Sequence, residues 1–242
     1  MQPLKKYKKQ NAKIHLALVL NISLTFVAGY ADTVGFLALF GLFTAHITGN
    51  FVIFSAEIVT PGHTFPLLKM LALPAFVAGV ILAKMIASSC QRKERNTFRV
   101  LCITEAALLI AFMIAGLIYG PIEENISPIA ILAGSIGAIA MGLHSACGRL
   151  LLPGLTPTAM MTGNVTQCVI EFIDLFQGVK EKRTWNRFSK YFWPVVFFGL
   201  GALIAAFAYF RFGFLALLLP ITIILFIASA GNFHKGEEVT VP

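Results

Sequence analysis

Charged residues are scarce in this sequence of 242 residues, and acidic residues are scarcer than basic ones. Only 12% of the residues are Asp, Glu, Lys or Arg, whereas soluble domains carry about a quarter. Hydrophobic residues make up 57%, and the mean hydropathy is +0.81. The composition therefore excludes an ordinary soluble domain and predicts an integral membrane protein whose main partner is the lipid bilayer.

The sequence also lacks the motifs of common enzymes and metal sites. It contains no Gly-rich phosphate loop, nucleophile elbow, HExxH sequence or paired-acid arrangement. Its four cysteines form no CxxC pair, and neither His46 nor His144 has a second histidine at ligand spacing. We therefore expect no enzymatic activity, no metal and no cofactor.

Apolar segments separated by basic clusters or Pro/Gly breaks are present instead. They predict an all-α polytopic fold. The segments are approximately residues 14–40, 45–59, 66–88, 97–119, 126–148, 158–176, 191–210 and 212–230. The basic clusters lie at segment ends, within residues 5–13, 92–99 and 180–190, as in cytoplasmic loops. We therefore expect no nucleic-acid partner.

A seven-residue sequence occurs twice. Residues 44–50 read TAHITGN and residues 158–164 read TAMMTGN, which is five identities in seven positions. Further matches in the same order are Glu57 with Glu171, Pro74 with Pro194, Gly79 with Gly199, and Asp32 with Ser145. The pattern predicts a single membrane domain with a two-fold internal repeat, whose halves are residues 1–120 and 121–242.

The basic clusters also decide which segments cross the membrane. If all eight crossed, the cluster at 92–99 would face outside, against the usual bias. If the two short Thr-Gly-Asn segments enter and return, all three clusters and both termini lie in the cytoplasm. This predicts about six spanning helices, two short broken or re-entrant helices, and an inverted second half. Six crossings also permit a homodimer, although no residue specifies one.

The Thr-Gly-Asn segments are the first candidate site. Broken helices in inverted repeats often mark the substrate site of a transporter, because their free backbone groups face a central cavity. The predicted substrate-binding residues in these segments are Thr48, Gly49, Asn50, Thr162, Gly163 and Asn164. The alternative is that these residues only cap and pack the short helices.

Ionisable residues inside the apolar segments are the second candidate. Asp32 is predicted to bind substrate and to act in coupling or gating, because a carboxylate at membrane depth is costly without a function. The alternative is a carboxylate at the outer interface. Glu57, Glu171 and His144 are further candidates for coupling or gating, although both glutamates are equally consistent with ion pairs to nearby Lys or Arg. Glu105 is expected to pair with the basic cluster at 92–99.

The chain resembles the YoaK family of bacterial inner-membrane proteins. The residues that carry the resemblance are Gly29–Asp32, Phe43–Asn50, Met141–Ala146 and Met161–Asn164. It implies a six-helix, multi-pass protein of the bacterial cytoplasmic membrane and supplies no substrate. With the broken segments, we predict a transporter or channel for a small polar solute. The alternative is a non-transport assembly or partner-binding protein, in which the Thr-Gly-Asn segments would be dry.

Overall fold

The computed structural model describes residues 2–60, 66–119, 128–177 and 182–230. Its side chains are described for residues 16–60, 67–118, 128–177 and 185–230. In these ranges the chain forms α1 (Gln2–Ala38), α2 (Gly49–Val59), α3 (Pro66–Arg92), α4 (Thr97–Tyr119), α5 (Pro128–Leu151), α6 (Met161–Phe176), α7 (Lys182–Phe212), a 3-10 helix (Gly213–Leu217) and α8 (Leu218–Ala230). The predicted all-α fold is confirmed.

Five stretches of the described chain are long and apolar enough to cross a membrane. They are Leu16–Ala38, Leu67–Arg92, Thr97–Ile118, Pro128–Leu151 and Trp185–Ala230. The last has 46 residues, about twice the roughly 20 that one crossing needs. It divides at Gly213, whose φ of +55° suits glycine and turns the chain between α7 and α8. The result is a polytopic helical membrane protein.

The two short helices begin later than the sequence predicts. Helical segments were expected from about residues 45 and 158, but α2 begins at Gly49 and α6 at Met161. The preceding residues are drawn into loops that turn back against α1 and α5. These loops, residues 39–48 and 152–160, are called the first and second loops below.

Glycine brings α1 and α7 into backbone contact. A Cβ added at Gly29 would lie 2.4 Å from the carbonyl oxygen of Phe198, and one at Gly201 would lie 2.4 Å from that of Phe26. No side chain fits at these distances, so both positions need glycine. Close approach through small residues is a common way to pack membrane helices.

The same arrangement joins α3 to α5. A Cβ at Gly79 would lie 2.1 Å from the carbonyl oxygen of Ile139, and one at Gly142 would lie 2.2 Å from that of Phe76. Each crossing therefore pairs a helix from residues 1–120 with a helix from residues 121–242. Packing α1 on α7 and α3 on α5 interlocks the two parts of the chain instead of leaving them side by side.

The crossings change one detail of the repeat. The sequence comparison matched Gly79 with Gly199, but nothing lies within 4 Å of a Cβ added at Gly199. Gly201, two residues further on, makes the contact that corresponds to Gly79. The sequence match followed Pro74 and Pro194, whereas the close approach of Gly201 to the backbone of α1 sets the packing of α7.

The core lies between the long helices, and α1 and α5 are its most enclosed members. About 67% of the α1 span and 61% of the α5 span are buried, against 28% of the α3 span. Fully buried side chains such as Val27, Val34, Met141 and Phe112 fill this centre. The two loops pack against α1 and α5, which hold them in place.

Candidate functional site

Asp32 lies in α1 and holds the first loop against the helix. Its Oδ1 accepts hydrogen bonds from the backbone N–H of Ala45 at 2.7 Å and of His46 at 3.3 Å. Its Oδ2 lies 2.8 Å from Nδ1 of His46. The residue is only 4% exposed, so these donors replace the water that an ionised carboxylate would otherwise need.

Two residues with positive φ reverse the chain after α1. Phe40 has a φ of +53° and Gly41 of +78°. The loop then runs back along the helix, where Thr44 packs so closely on Gly35 that an added Cβ would lie 2.6 Å from its methyl group. Ala45 thus sits beside Asp32, six residues or roughly 9 Å before the end of α1.

A buried ion pair lies where the two ends of the segment from Phe40 to Glu57 meet. Nζ of Lys69 in α3 lies 2.5 Å from Oε1 of Glu57 in α2 and donates to the carbonyl oxygen of Phe40 at 2.6 Å. The lysine side chain is 0% exposed and that of the glutamate 10%. Between Phe40 and Glu57 the chain therefore runs back along α1 and then returns to the level of Lys69. Sequence reasoning missed Lys69, although its place in an apolar segment was an available signal.

Asn50 closes the first loop. Its Nδ2 donates to the carbonyl oxygen of Phe43 at 2.7 Å, and its Oδ1 accepts from the N–H of the same residue at 2.9 Å. Thr48 is exposed and stands at the N-cap position of α2 without a side-chain capping bond. The alternative in which Thr48 caps α2 is therefore wrong for this residue, and Asn50 secures the turn through its bonds to Phe43.

Asn164 closes the second loop in a similar way. Its Nδ2 donates to the carbonyl oxygen of Pro157 at 2.8 Å, again seven residues earlier. Proline has no N–H, so the second bond of the first loop has no counterpart. Both asparagines are 2% exposed, whereas Thr162 and Gly163 are exposed in the first turn of α6.

The second loop is also held by an ion pair and by a contact with α1. Glu171 in α6 is fully buried, and its Oε1 lies 2.6 Å from Nη2 of Arg187 in α7. The amide of Asn21 in α1 contacts the hydroxyl of Thr156 at 2.6 Å. Both predicted coupling glutamates, Glu57 and Glu171, are thus paired with cations from the following long helix.

His144 forms a separate buried pair. Its Nδ1 lies 2.8 Å from Oε1 of Glu105 in α4, and both side chains are 1% exposed. The expected pairing of Glu105 with the basic cluster at 92–99 is therefore wrong, because Glu105 points into the interface with α5. Among the described residues, Nε2 of His144 has no hydrogen-bond partner, and no three His, Cys, Asp or Glu residues converge on a metal position.

A cavity of about 930 Å³ lies between the two loops, α3 and α5. Its polar wall contains Thr48 and His46 from the first loop, Thr162 from α6, Thr158 from the second loop, and Ser145 and Arg149 from α5. The apolar wall is formed by α3, between Leu73 and Ile81.

The cavity separates the predicted site residues into two groups. Thr48, Thr162 and Gly163 line it. The remaining predicted residues do not line it: Asp32, Gly49, Asn50, Asn164, Glu57, Glu171 and His144. Asp32 nevertheless contacts the cavity wall through His46, whose side chain is 31% exposed. Sequence reasoning did not assign His46 and Arg149 to the cavity, because neither is placed there without the loop fold.

Comparison with known proteins supports the resemblance found in the sequence. Residues 20–230 match the model of a protein family described as "Protein of unknown function (DUF1275)". The chain belongs to the DUF1275 family. It is also 27% identical, over 217 residues, to the UPF0700 transmembrane protein YoaK of Bacillus subtilis (strain 168), a match that covers 89% of this chain and 94% of that protein. No solved structure matches the chain. Both loops and all their contacts described above lie within the residues matched to DUF1275.

Proposed function

We propose that this protein is a transporter or channel that lets a small polar solute move between its two loops. The observation that carries the proposal is a cavity bounded by both loops, with Thr48 from the first loop and Thr162 from α6, next to the second loop, in its wall. Repeated short helices that meet at a central cavity are a common design of transport sites. No chemical step is part of the proposal.

The depth of the loops supports this function. Ala45 lies beside Asp32, well inside the span Leu16–Ala38. Non-helical backbone at membrane depth is tolerated where protein covers it or water reaches it. The two sequences of seven residues therefore act, in this proposal, as re-entrant segments whose outer face is wet and whose asparagines are dry.

Asp32 acts in this proposal as a positioning residue. Its carboxylate oxygens accept hydrogen bonds from Ala45 and His46 instead of facing the cavity. The solute would meet the imidazole of His46, and Asp32 would fix the orientation of that ring. Glu57 and Glu171 would hold the short helices through their ion pairs with Lys69 and Arg187.

The proposed orientation follows from charge. The clusters at 92–99 and 180–190, together with the amino terminus, would lie in the cytoplasm, and the membrane would be the bacterial inner membrane. The first loop would then be reached from outside and the second from the cytoplasm. The cavity is built within one chain, so this pathway does not require a homodimer.

Thiol accessibility tests the proposal. The four native cysteines are replaced, and single cysteines are placed at Thr48 or Thr162 in the full chain in proteoliposomes. An impermeant maleimide should label both positions, Thr48→Cys from outside and Thr162→Cys from the cytoplasmic side.

Matched controls are Phe51→Cys and Val165→Cys. These side chains are 51% and 44% exposed on the same two short helices but lie outside the cavity wall. They should face lipid and stay unlabelled. If Thr48→Cys and Thr162→Cys also resist labelling from both sides, the cavity is dry, and an assembly or partner-binding role replaces transport.

A further inference from the structure

The cavity wall carries positive charge without a matching acid. The only ionisable side chains among the described residues that line it are His46 and Arg149, and none of those residues is Asp or Glu. His46 is held by Asp32, which offsets any charge on the imidazole. Arg149 contributes a guanidinium cation to the wall. A solute with a negative charge would therefore be favoured here over a cation.

The first loop shows which chemical group this kind of loop binds. At its deepest point the N–H groups of Ala45 and His46 point at one oxygen of a carboxylate, and that carboxylate belongs to Asp32. Backbone donors that converge on one acceptor are a typical anion-binding arrangement. In the first loop the carboxylate of Asp32 fills the position that a bound anion would otherwise take.

The corresponding place in the second loop has no carboxylate. The sequence match puts Ser145 at the position of Asp32, and Ala159 and Met160 at the positions of Ala45 and His46. Within the described part of the chain, the hydroxyl of Ser145 has no hydrogen-bond partner although the atom is buried. No hydrogen bond is found there for the N–H groups of Ala159 and Met160 either. All three residues line the cavity.

Arg149 is next to these unused donors. It follows Ser145 by four residues on α5, which places both side chains on one face of the helix. Its Nη2 lies 2.9 Å from the sulfur of Met160, so the guanidinium group is at the second loop. A thioether is a weak acceptor, and a guanidinium group has five N–H donors, which suit a carboxylate or phosphate oxygen far better.

We infer that the second loop binds a small oxyanion, of the carboxylate class, between Arg149, the hydroxyl of Ser145 and the N–H groups of Ala159 and Met160. The ligand takes the place that the carboxylate of Asp32 fills in the first loop. This inference rests on the proposed function, because the ligand reaches the loop through the cavity. It goes further by assigning the charge and chemical class of the solute.

The test is protection of a cysteine in the cavity wall. Thr162→Cys is labelled in proteoliposomes of a zwitterionic lipid, with pyruvate, inorganic phosphate, choline or erythritol present. Pyruvate should slow labelling, roughly tenfold at ten times its Kd, whereas choline and erythritol should not. Phosphate separates a general oxyanion site from one that requires a carboxylate. Repeating the measurement in anionic lipid shows whether headgroups compete for the same place.

Variants of Arg149 test whether its guanidinium group binds the pyruvate. Arg149→Gln should remove the protection by pyruvate, and Arg149→Lys should keep part of it. Arg211→Gln changes another exposed arginine, which stacks on Phe212 far along the chain from the second loop, and should leave protection unchanged.

The outcomes distinguish the two proposals. If Thr162→Cys is never labelled, the cavity is dry and the proposed function fails first. If it is labelled but neither pyruvate nor phosphate slows the reaction, or if choline protects equally, the cavity is wet and the anion site is wrong. If only anionic lipid protects, the place belongs to lipid headgroups, which also overturns a solute site.

Discussion

The two loops are built alike but secured differently. In each, an asparagine bonds to the carbonyl oxygen of the residue seven positions earlier, and a glutamate seven positions later pairs with a cation of the next long helix. The first loop adds a carboxylate from α1, whereas the second has Ser145 at that position. The comparison shows that the asparagine is the common closing element. The carboxylate is a feature of one loop.

The largest effect is expected at the two ion pairs, which differ in the donors that the glutamate keeps when its cation is removed. Lys69→Met leaves Glu57 unpaired in a buried place and should lower the free energy of unfolding by about 3–5 kcal/mol. Arg187→Met leaves the fully buried Glu171 without its cation, but Nε2 of Gln167 still donates to that carboxylate at 2.8 Å, so the cost should be lower, about 2–3 kcal/mol. Unfolding by SDS in mixed micelles measures both. Adding Glu57→Gln to Lys69→Met should recover most of the loss. Equal losses for Lys69→Met and Arg187→Met would show that Gln167 does not compensate for the missing arginine.

The next largest loss of stability is expected from substitutions of the glycines at the two helix crossings. Gly79→Ala places a Cβ against the carbonyl oxygen of Ile139 and should cost about 3 kcal/mol, because backbone must move. Gly29→Ala should behave alike at the other crossing. Gly199→Ala is the matched control, since it meets nothing within 4 Å and replaces a helical glycine by a better helix former. The same SDS titration compares the three variants. A neutral Gly79→Ala would mean that α3 and α5 do not touch.

Some of this architecture could be predicted from the sequence. The long helices were predictable from hydropathy, since each span is apolar over roughly the membrane thickness. The repeat identified Asn50 and Asn164 as equivalent, and both close a loop. Asp32 stood out because a carboxylate in an apolar segment needs a partner.

The partners themselves could not be predicted. Asp32 meets His46 only because positive φ at Phe40 and Gly41 reverses the chain, and the residue type at Phe40 gives no sign of that conformation. The residues of the Thr-Gly-Asn motif also differ in burial, and the sequence alone does not show this difference. Thr48 lines the cavity while Asn50 is buried, because two residues on a helix turn point to different sides.

Removing the Asp32 carboxylate, which α1 supplies to the first loop, should make the first loop resemble the second. Asp32→Ser leaves the N–H groups of Ala45 and His46 without their acceptor and should cost about 2 kcal/mol in the SDS titration. Asp32→Asn, which keeps one oxygen acceptor, should cost less. In the labelling assay, Asp32→Ser should give Thr48→Cys only weak protection by pyruvate, because the freed N–H groups can donate to it but Phe36 stands at the position that corresponds to Arg149. No change in either measurement would show that the first loop does not depend on this carboxylate.

The reciprocal change should have the smallest effect on stability and the clearest effect on binding. Ser145→Asp supplies the second loop with a carboxylate beside Arg149, so its cost should be offset and stay below about 1 kcal/mol. The new carboxylate would occupy the place inferred for the solute and repel other anions. Thr162→Cys should then remain open to the maleimide but lose its protection by pyruvate. Ser145→Asn has a similar size without the charge and should retain most of the protection. If pyruvate still protects Thr162→Cys in the Ser145→Asp variant, the anion does not bind at the position that corresponds to the Asp32 carboxylate. The two loops would then share their closing asparagines but not an anion-binding position.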